Sequence, residues 1–387
     1  MDGCPDGDHV LHTVGLHFVI AITQPGIEPD KNGGFMKTGR TLTALAAEIE
    51  RQAATKRDYL ADSRALCMTV EDKPALAMSN GGTHQFGITE VAHEQIAGKT
   101  GIPRPYYERM AQEAPALLAQ NVNHWFKTQP GRHLVRTLDG NARAFLSDRY
   151  RPLDNFDLAE IVLPRLMDTG CRIESAELTE RRLYIKAVTD RITAEVKKGD
   201  PVQAGLVITN SEVGMGAVKV EPMIFRLVCL NGAIAADSSL RKHHVGKAGD
   251  WAGLDGAAEF FRDETRAQDD KAFWMKVSDV VGAALTQISF DKIVARFREA
   301  TEQKITGDPI KVVEITAKKF GLHDTERAGV LRHLIEGGDL SAYGLLNAIT
   351  RVSQDVESYD RATDLERMGP QVLELPRQDW AVIAEAA

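Results

Sequence analysis

Residues 205–247 read GLVITNSEVGMGAVKVEPMIFRLVCLNGAIAADSSLRKHHVGK. An apolar run at Leu206–Ile208 leads to a Thr-Asn-Ser corner and then to a Gly-x-Gly pair. In Ala217–Glu221 valines alternate with charged residues, which is the pattern of a strand with one buried face. The stretch therefore predicts strands of a sheet that has one buried face.

The second apolar run of this stretch carries one embedded charge, Arg226, and stops at Asn231-Gly232, which is a turn or cap signal. A strand is one interpretation of residues 222–232. A short helix is the other, because Pro222 suits a helix start and Gly232 suits the position just after a helix end.

Two hairpins are predicted upstream of this stretch. Asp139-Gly140-Asn141 separates residues 133–137 from residues 142–146, and Asp-Gly is a strong hairpin turn signal. Residues 155–167 predict a helix kinked by Pro164, and residues 172–178 and 182–188 predict a second hairpin. The order β-β-α-β-β-β predicts an α+β fold, with an antiparallel sheet built from β-hairpins and packed helices. We expect both hairpins to share one sheet, in a central domain over residues 131–255.

The flanking regions differ in character. Residues 1–35 lack sustained periodicity, and we expect either a disordered arm or translation that starts at Met36. Residues 36–130 predict a mixed α/β part, with helices over 42–57, 89–99 and 103–120, and with short strands over 64–70 and 74–78. Residues 256–387 predict a mainly helical C-terminal region.

Apolar stripes support the helical prediction for the C-terminal region. One stripe consists of Phe260, Phe261, Trp274, Val277, Val281 and Leu285. A second alternates spacings of four and three up to a helix end at Gly369-Pro370, and it consists of Leu345, Ile349, Val352, Val356 and Tyr359. Such stripes are typical of core packing.

Composition narrows the class of protein. The 387 residues have a formal net charge of -8, which argues against a protein that coats nucleic acid with its whole surface. The four cysteines are widely spaced, which is typical of a reducing compartment. No apolar run approaches the roughly 20 residues needed to cross a bilayer. We expect a cytoplasmic protein without membrane contact.

Catalytic motifs are incomplete. Gly98-Lys99-Thr100 ends like a phosphate-binding loop, but His93 stands where that loop requires its first glycine. His93-Glu94 begins like a zinc-protease motif, but Ala97 stands where its second histidine belongs. We therefore expect no enzyme activity, no catalytic residues, no metal and no cofactor.

Two basic segments suggest nucleic-acid binding. Residues 132–151 contain five arginines against Asp139 and Asp148, with Phe145 and Tyr150 between them, and residues 219–247 contain five Lys/Arg against two acids. Clustered cations with nearby aromatic rings suit phosphates and stacked bases of a single strand. The predicted contacts are Arg143, Arg149, Arg151, Lys219, Arg226, Arg241, Lys242, His243, His244 and Lys247. For Arg226, a buried ion pair is an equal alternative.

A family resemblance rests on several of these residues. The runs LSDRYRPLDN (residues 146–155), Asn210-Ser211-Glu212-x-Gly214 and RLVCLNG (residues 226–232) occur in the order seen in a phage- and plasmid-borne family called domain of unknown function 932. The chain resembles this family over about residues 83–285. The family's setting near recombination genes, and a distant similarity to single-strand annealing proteins of the Rad-fifty-two, RecT and Erf type, imply single-stranded DNA as the ligand.

The expected function is single-stranded DNA binding with strand annealing or recombination, by a ring-shaped or filamentous homo-oligomer. A single-strand-binding protein or an exonuclease is the expected partner. Two alternatives stay open. One is a phage- or plasmid-encoded nuclease or nucleotide-modifying enzyme, and the other is a protein-interaction module such as an inhibitor of host defence.

Overall fold

A computed structural model of the chain describes residue 37 and residues 39–79, 83–150, 152–235 and 263–386. The predictions for residues 1–35 and for Phe260 and Phe261 concern positions outside the described residues. Within them, no helix is long and apolar enough to cross a membrane.

The described strands form two sheets. Their bounds are β1 (Arg57–Asp62), β2 (Leu66–Val70), β3 (Pro74–Ser79), β4 (Thr83–Ile88), β5 (Arg132–Leu138), β6 (Asn141–Ser147), β7 (Arg172–Leu178), β8 (Leu183–Glu195), β9 (Pro201–Asn210), β10 (Lys219–Arg226) and β11 (Asn231–Ile234). The first six strands form sheet A, in the order β1-β5-β6-β4-β3-β2, and the last five form sheet B, in the order β11-β10-β9-β8-β7. All described pairings are antiparallel except the short β4–β6 contact.

The described helices surround both sheets and fill the C-terminal region. Their bounds are α1 (Leu42–Thr55), α2 (Glu90–Thr100), α3 (Arg104–Glu113), α4 (Pro115–Thr128), α5 (Asn155–Asp168), α6 (Asp263–Ala284), α7 (Gln287–Glu302), α8 (Pro309–Phe320), α9 (Asp324–Gly337), α10 (Ala342–Val352), α11 (Tyr359–Gln371) and α12 (Arg377–Ala384). The predicted class is confirmed, because hairpin-built antiparallel sheets with packed helices are followed by helices only.

Turn and cap residues in the sequence correctly predicted several elements. The β5–β6 hairpin turns at Asp139 and Gly140, which have φ of 50° and 78°, as the tight turns that favour Asp-Gly require. The hydroxyl of Thr89 accepts a hydrogen bond from the Ala92 N–H and so caps α2 as predicted. The second predicted hairpin is β7–β8, and residues 222–226 continue a strand, so the helical alternative for residues 222–232 is wrong.

The expectation that both hairpins share one sheet is wrong. β5 pairs along its length with β1, from Arg57 opposite Thr137 to Asp62 opposite Arg132, so the first hairpin belongs to sheet A. The second hairpin belongs to sheet B. A turn signal specifies pairing inside a hairpin, whereas the other neighbours of its strands depend on distant segments.

Two predicted helices are each split in the structure. The helix expected over 103–120 breaks at Ala114, whose backbone angles (φ -149°, ψ 61°) are not helical, and Pro115 then starts α4. The helix expected to run from Leu345 to Gly369 ends at Val352, and a second helix begins after Ser358, whose hydroxyl caps it. The apolar spacing continues across the second break because both helices pack into one core.

Sheet B lies between two groups of helices. Side chains of α1, α5 and α6 join Leu183, Ile185 and Leu206 in one core on one face. On the other face, α11 reaches the strands through polar contacts. Its Glu366 forms a salt bridge of 2.6 Å with Lys186, and neither side chain is exposed.

Candidate nucleic-acid interface

The predicted DNA contacts separate into two groups. Six of them lie outside the described residues, namely Arg151, Arg241, Lys242, His243, His244 and Lys247. The other four are Arg143, Arg149, Lys219 and Arg226. Of these, Arg143 and Arg149 belong to sheet A and its following turn, whereas Lys219 and Arg226 belong to β10 of sheet B.

Arg226 has a structural role. Its Nε donates to the Asp200 carboxylate at 2.6 Å, and its Nη1 donates to the Cys229 sulfur at 3.2 Å. The Tyr343 hydroxyl donates to the other Asp200 oxygen at 3.0 Å. The side chain is 17% exposed, so the structure has the buried ion pair that the sequence left open as one alternative.

Lys219 lies at the start of β10 and is half-buried. Residues two apart in a strand point to the same face, so Lys219 shares a face with Glu221. Glu221 pairs with Arg367 of α11 at 2.7 Å. Lys219 therefore lies on the face of sheet B that the C-terminal helices approach.

Arg143 lies at a β-bulge. Arg136 pairs with Ala144 while Thr137 pairs with Ala142, so Arg143 is the extra residue of β6. A bulge redirects the side chain of its extra residue. Here it directs the guanidinium to Glu212, at 2.8 Å, and the two side chains are 8% and 6% exposed. Arg143 does not lie on a surface that a DNA strand reaches, which corrects its predicted role.

Arg136 is the centre of a second buried contact. Its side chain is fully buried, with Nε 2.9 Å from Asp58 and Nη2 2.7 Å from Asp154. Its Nη1 donates to the Glu212 carbonyl at 2.8 Å. We call Asp58, Arg136, Arg143, Asp154 and Glu212 the junction network, because it joins sheet A to α5 and to the loop after β9.

The Asn-Ser-Glu-x-Gly loop completes this junction. Glu212 accepts a hydrogen bond of 2.6 Å from the Asn155 N–H, and Asn210 donates to the Asn155 side chain at 2.9 Å. Gly214 has φ of 75°, and a Cβ there would lie 2.6 Å from the Leu146 side chain. The Asn-Ser-Glu-x-Gly and LSDRYRPLDN motifs thus contact each other where the loop after β9 meets β6 and α5.

Charge pairing in the network lowers the pKa of one carboxyl group, that of Asp154. Burial by itself would raise the pKa of Asp154, but Arg136 and Lys56 stabilise its charged form. The net effect is a pKa below the ordinary value of an aspartate. Asp154 is therefore a carboxylate over the whole neutral range, and its charge offsets the buried charge of Arg136.

Exposed cations gather at the end of the β5–β6 hairpin opposite its turn. Ser63 donates to the Phe126 carbonyl at 2.9 Å, and its backbone N–H donates to the Gly131 carbonyl at 2.9 Å. Ser63, Phe126 and Gly131 therefore lie close together. The next residue after each of them is a cation, namely Arg64, Lys127 and Arg132. All three are exposed.

Two more exposed cations join this group. Burial and then the charge of Lys99 lower the pKa of His133, so Lys99 lies close to that histidine. Ser147 pairs with His133 across the hairpin, and Arg149 follows two residues later. We call Arg64, Lys99, Lys127, Arg132 and Arg149 the basic end of sheet A. The nearby carboxylates that act on His133 are Asp148 and Asp62, and Asp62 pairs with Arg64 at 2.9 Å.

The aromatic residues of this region have other roles than expected. Phe145 is 4% exposed and stacks on His133, with ring centroids 4.6 Å apart, so it belongs to the core and does not offer a surface for bases. The Tyr150 hydroxyl donates to the Ser211 carbonyl at 3.0 Å. Sequence reasoning missed Arg64, Lys99 and Lys127, because they belong to three separate elements and no linear spacing connects them.

The model of one protein family, described as domain of unknown function (DUF932), matches residues 144–358, which is more than half of the chain. The chain belongs to the DUF932 family. No curated protein and no solved structure matches it. Within the ranges that the structure describes, no three His, Cys, Asp or Glu side chains are grouped as metal ligands would be.

The junction network crosses the boundary of the DUF932 match. Asp154 and Glu212 lie inside the matched segment, whereas Asp58, Arg136 and Arg143 precede it. The N-terminal strands are thus tied to the DUF932 segment by buried ion pairs. Arg149 lies inside the match, and the other members of the basic end precede it.

Proposed function

We propose that this chain binds single-stranded DNA at the basic end of sheet A and promotes the annealing of complementary strands. The observation that supports the proposal is the clustering of Arg64, Lys99, Lys127, Arg132 and Arg149, all exposed, in a chain of net charge -8. Such a local patch attracts phosphates, although the total charge does not.

Annealing needs no reacting group under this proposal. Cations that neutralise phosphates reduce the repulsion between two strands, and each contact releases counterions on binding. The bases then stay available for a complementary strand. We infer a homo-oligomer, because an array of subunits would hold many consecutive bases. The inferred compartment is the cytoplasm, and the inferred partner is a single-strand-binding protein or an exonuclease.

A fluorescence-anisotropy titration tests the proposal. A labelled single strand is titrated with the full chain at low and at moderate salt, with and without magnesium, and strand integrity is checked afterwards. We expect salt-sensitive binding that leaves the strand intact. In a triple variant, Lys127→Ala, Arg132→Ala and Arg149→Ala, the slope of log affinity against log salt should fall by about 2, at roughly 0.7 per contact.

A matched variant controls for net charge. Lys276→Ala, Lys292→Ala and Arg296→Ala remove the same three positive charges from exposed positions of α6 and α7. This control should bind like the unaltered chain. Equal losses in both variants would contradict the assignment of the site, and absence of binding at low salt would favour the protein-interaction alternative. Degradation of the labelled strand only when magnesium is present would favour the nuclease alternative.

A further inference from the structure

Helix α4 carries an exposed stripe that ends at the basic end of sheet A. The stripe consists of Leu117, Gln120, His124 and Lys127, which are all exposed. Their spacings of three, four and three residues place them on one face of the helix. Lys127 is a member of the basic end, and Leu117 lies about 15 Å from it along the helix axis. The stripe therefore continues the basic end along α4.

Two aromatic rings lie where this stripe meets the basic end. The ring centroids of His124 and Trp125 are 5.1 Å apart, and the ring planes are nearly perpendicular, at 83°. His124 is exposed, whereas Trp125 is half-buried and packs in part against the core that sheet A shares with α2, α3 and α4. Residues three apart are neighbours on a helix surface, so His124 lies beside Lys127. An aromatic surface thus adjoins a cation of the basic end.

The charges of α4 and α3 permit a polyanion to pass beside this aromatic pair. The sequence of α4 is PALLAQNVNHWFKT, which contains no aspartate or glutamate. The neighbouring helix α3 has two acids, Glu108 and Glu113. Each pairs with an arginine four residues earlier in α3, at 2.6 and 2.9 Å respectively. A phosphate backbone that follows α4 therefore meets Lys127 and neutral amides, and it meets no carboxylate of this helix.

A single-stranded nucleic acid matches both parts of this surface. It carries phosphates for the cations, and its unpaired bases have flat faces that stack on aromatic side chains whatever their sequence. The cation and the aromatic pair lie within one helical turn, so neighbouring nucleotides can contact both. An acidic peptide also suits the cations, but it lacks a flat ring at each residue to cover His124 and Trp125. The surface therefore favours a nucleobase over a peptide.

We propose that the single strand bound at the basic end continues along α4 and stacks a base on His124 and Trp125. This inference rests on the proposed function, because the cations hold the phosphates while the aromatic pair holds a base. Phosphate contacts alone are available on a duplex as well as on a single strand. The bases of a duplex lie inside its stack and do not reach such a pair. The aromatic pair thus gives the chain its preference for single strands.

Anisotropy titration of His124→Ala tests the stacking contact. This variant should bind a labelled single strand at least about fivefold more weakly than the unaltered chain does, as expected for the loss of one aromatic contact. Its affinity for a duplex of the same sequence should not change. His323→Ala removes an exposed histidine at the start of α9 and is the matched control, which should bind as the unaltered chain does.

A strand with abasic sites sharpens this test. It keeps the phosphates of the normal strand and lacks the groups that stack. It should bind the unaltered chain more weakly than the normal strand does, and it should bind His124→Ala and the unaltered chain alike. If His124→Ala and the unaltered chain bound the normal strand equally, the inference would be overturned, and a protein partner would be favoured for this face of α4.

Tryptophan fluorescence reports the same contact independently of affinity. A base stacked on an indole ring quenches its emission, so the normal strand should quench the fluorescence of the unaltered chain. Most of this quenching should be lost in Trp125→Phe. It should be retained in Trp380→Phe, which changes another half-buried tryptophan, in α12. Quenching that persisted in Trp125→Phe would place the strand away from α4.

The triple variant of the basic end separates this inference from the proposed function. If the unaltered chain bound no single strand at low salt, both proposals would fail. If the triple variant lost affinity while His124→Ala kept it, the cations would bind DNA and the stacking contact alone would be refuted. Loss of affinity in both variants, with duplex binding reduced only in the triple variant, is the expected result.

Discussion

Two pairs of arginines on the same hairpin have opposite surroundings. Arg136 and Arg143 are buried, and each contacts at least one carboxylate of the junction network. Arg132 and Arg149 are exposed at the hairpin's open end. All four belong to one basic segment of the sequence. The comparison teaches that a cluster of like charges in a sequence can combine structural ion pairs with a solvent-exposed surface.

The difference follows from backbone geometry. Arg136 lies between β1 and β6 and contacts Asp58 of β1, and the bulge at Arg143 directs that residue to Glu212. Arg132 begins β5 and Arg149 follows β6, where the sheet ends. Burial of an arginine requires paired carboxylates, and the chain supplies them from distant segments.

The largest expected effect concerns the buried member of this comparison. Arg136→Met should lower the free energy of unfolding by about 3–5 kcal/mol, because it leaves Asp58 and Asp154 without their shared cation. Urea denaturation measures this loss. Arg132→Met on the same strand is the control and should change the free energy of unfolding by at most about 0.5 kcal/mol. If both variants lost similar free energy of unfolding, the buried and the exposed arginines would not differ in their contribution to stability.

A smaller effect should depend on pH. Asp154→Asn should cost about 1–3 kcal/mol at pH 7, since Arg136 keeps Asp58 but loses a charged partner. The folded-state pKa of Asp154 is lowered, so its stabilisation is present above its ordinary pKa of about 3.9 and is lost as the pH falls through the folded value.

The measurement for this prediction is urea denaturation of both proteins from pH 7 down to acid. The free energies of unfolding of the unaltered chain and of Asp154→Asn should converge as the pH falls. A difference that stays constant down to the lowest pH would show that the carboxylate charge is not what stabilises the junction.

The smallest stability effect is expected at two arginines that follow β6, of which Arg149 is exposed. Replacement of Arg149 and Arg151 by alanine should leave the free energy of unfolding within about 0.5 kcal/mol. The same variant should weaken single-strand binding and lower the salt slope by about 1.4, for two lost phosphate contacts. Thermal unfolding and the anisotropy titration measure the two quantities. A large drop in stability with unchanged binding would assign these arginines to the fold.

Much of the local structure could be predicted from neighbouring residues. Asp139-Gly140 specified the first hairpin, and Thr89 specified the start of α2. Apolar spacing could not reveal the break after Val352, because apolar residues kept their period across it. The break at Ala114 did have a local signal, because Pro115 disfavours a helix interior and suits a helix start.

The candidate sites were harder to predict than the elements. Arg143 has the sequence context of an exposed cation, and for Arg226 the apolar context left a buried ion pair and a DNA contact equally open. Their partners Glu212 and Asp200 lie 69 and 26 residues away. Arg64, Lys99 and Lys127 had no signal in the sequence, because the bonds of Ser63 and the packing around His133 unite them only in the folded chain.

The sequence by itself determined the α+β class, both hairpins and the resemblance to the DUF932 family. These properties depend on turn chemistry, on apolar spacing and on short motifs, which act within a few residues. Only the tertiary structure decided that the hairpins enter different sheets, which arginines are buried, and where exposed cations gather. Burial and charge pairing depend on segments far apart in the chain, and their contacts exist only after the two sheets have packed together.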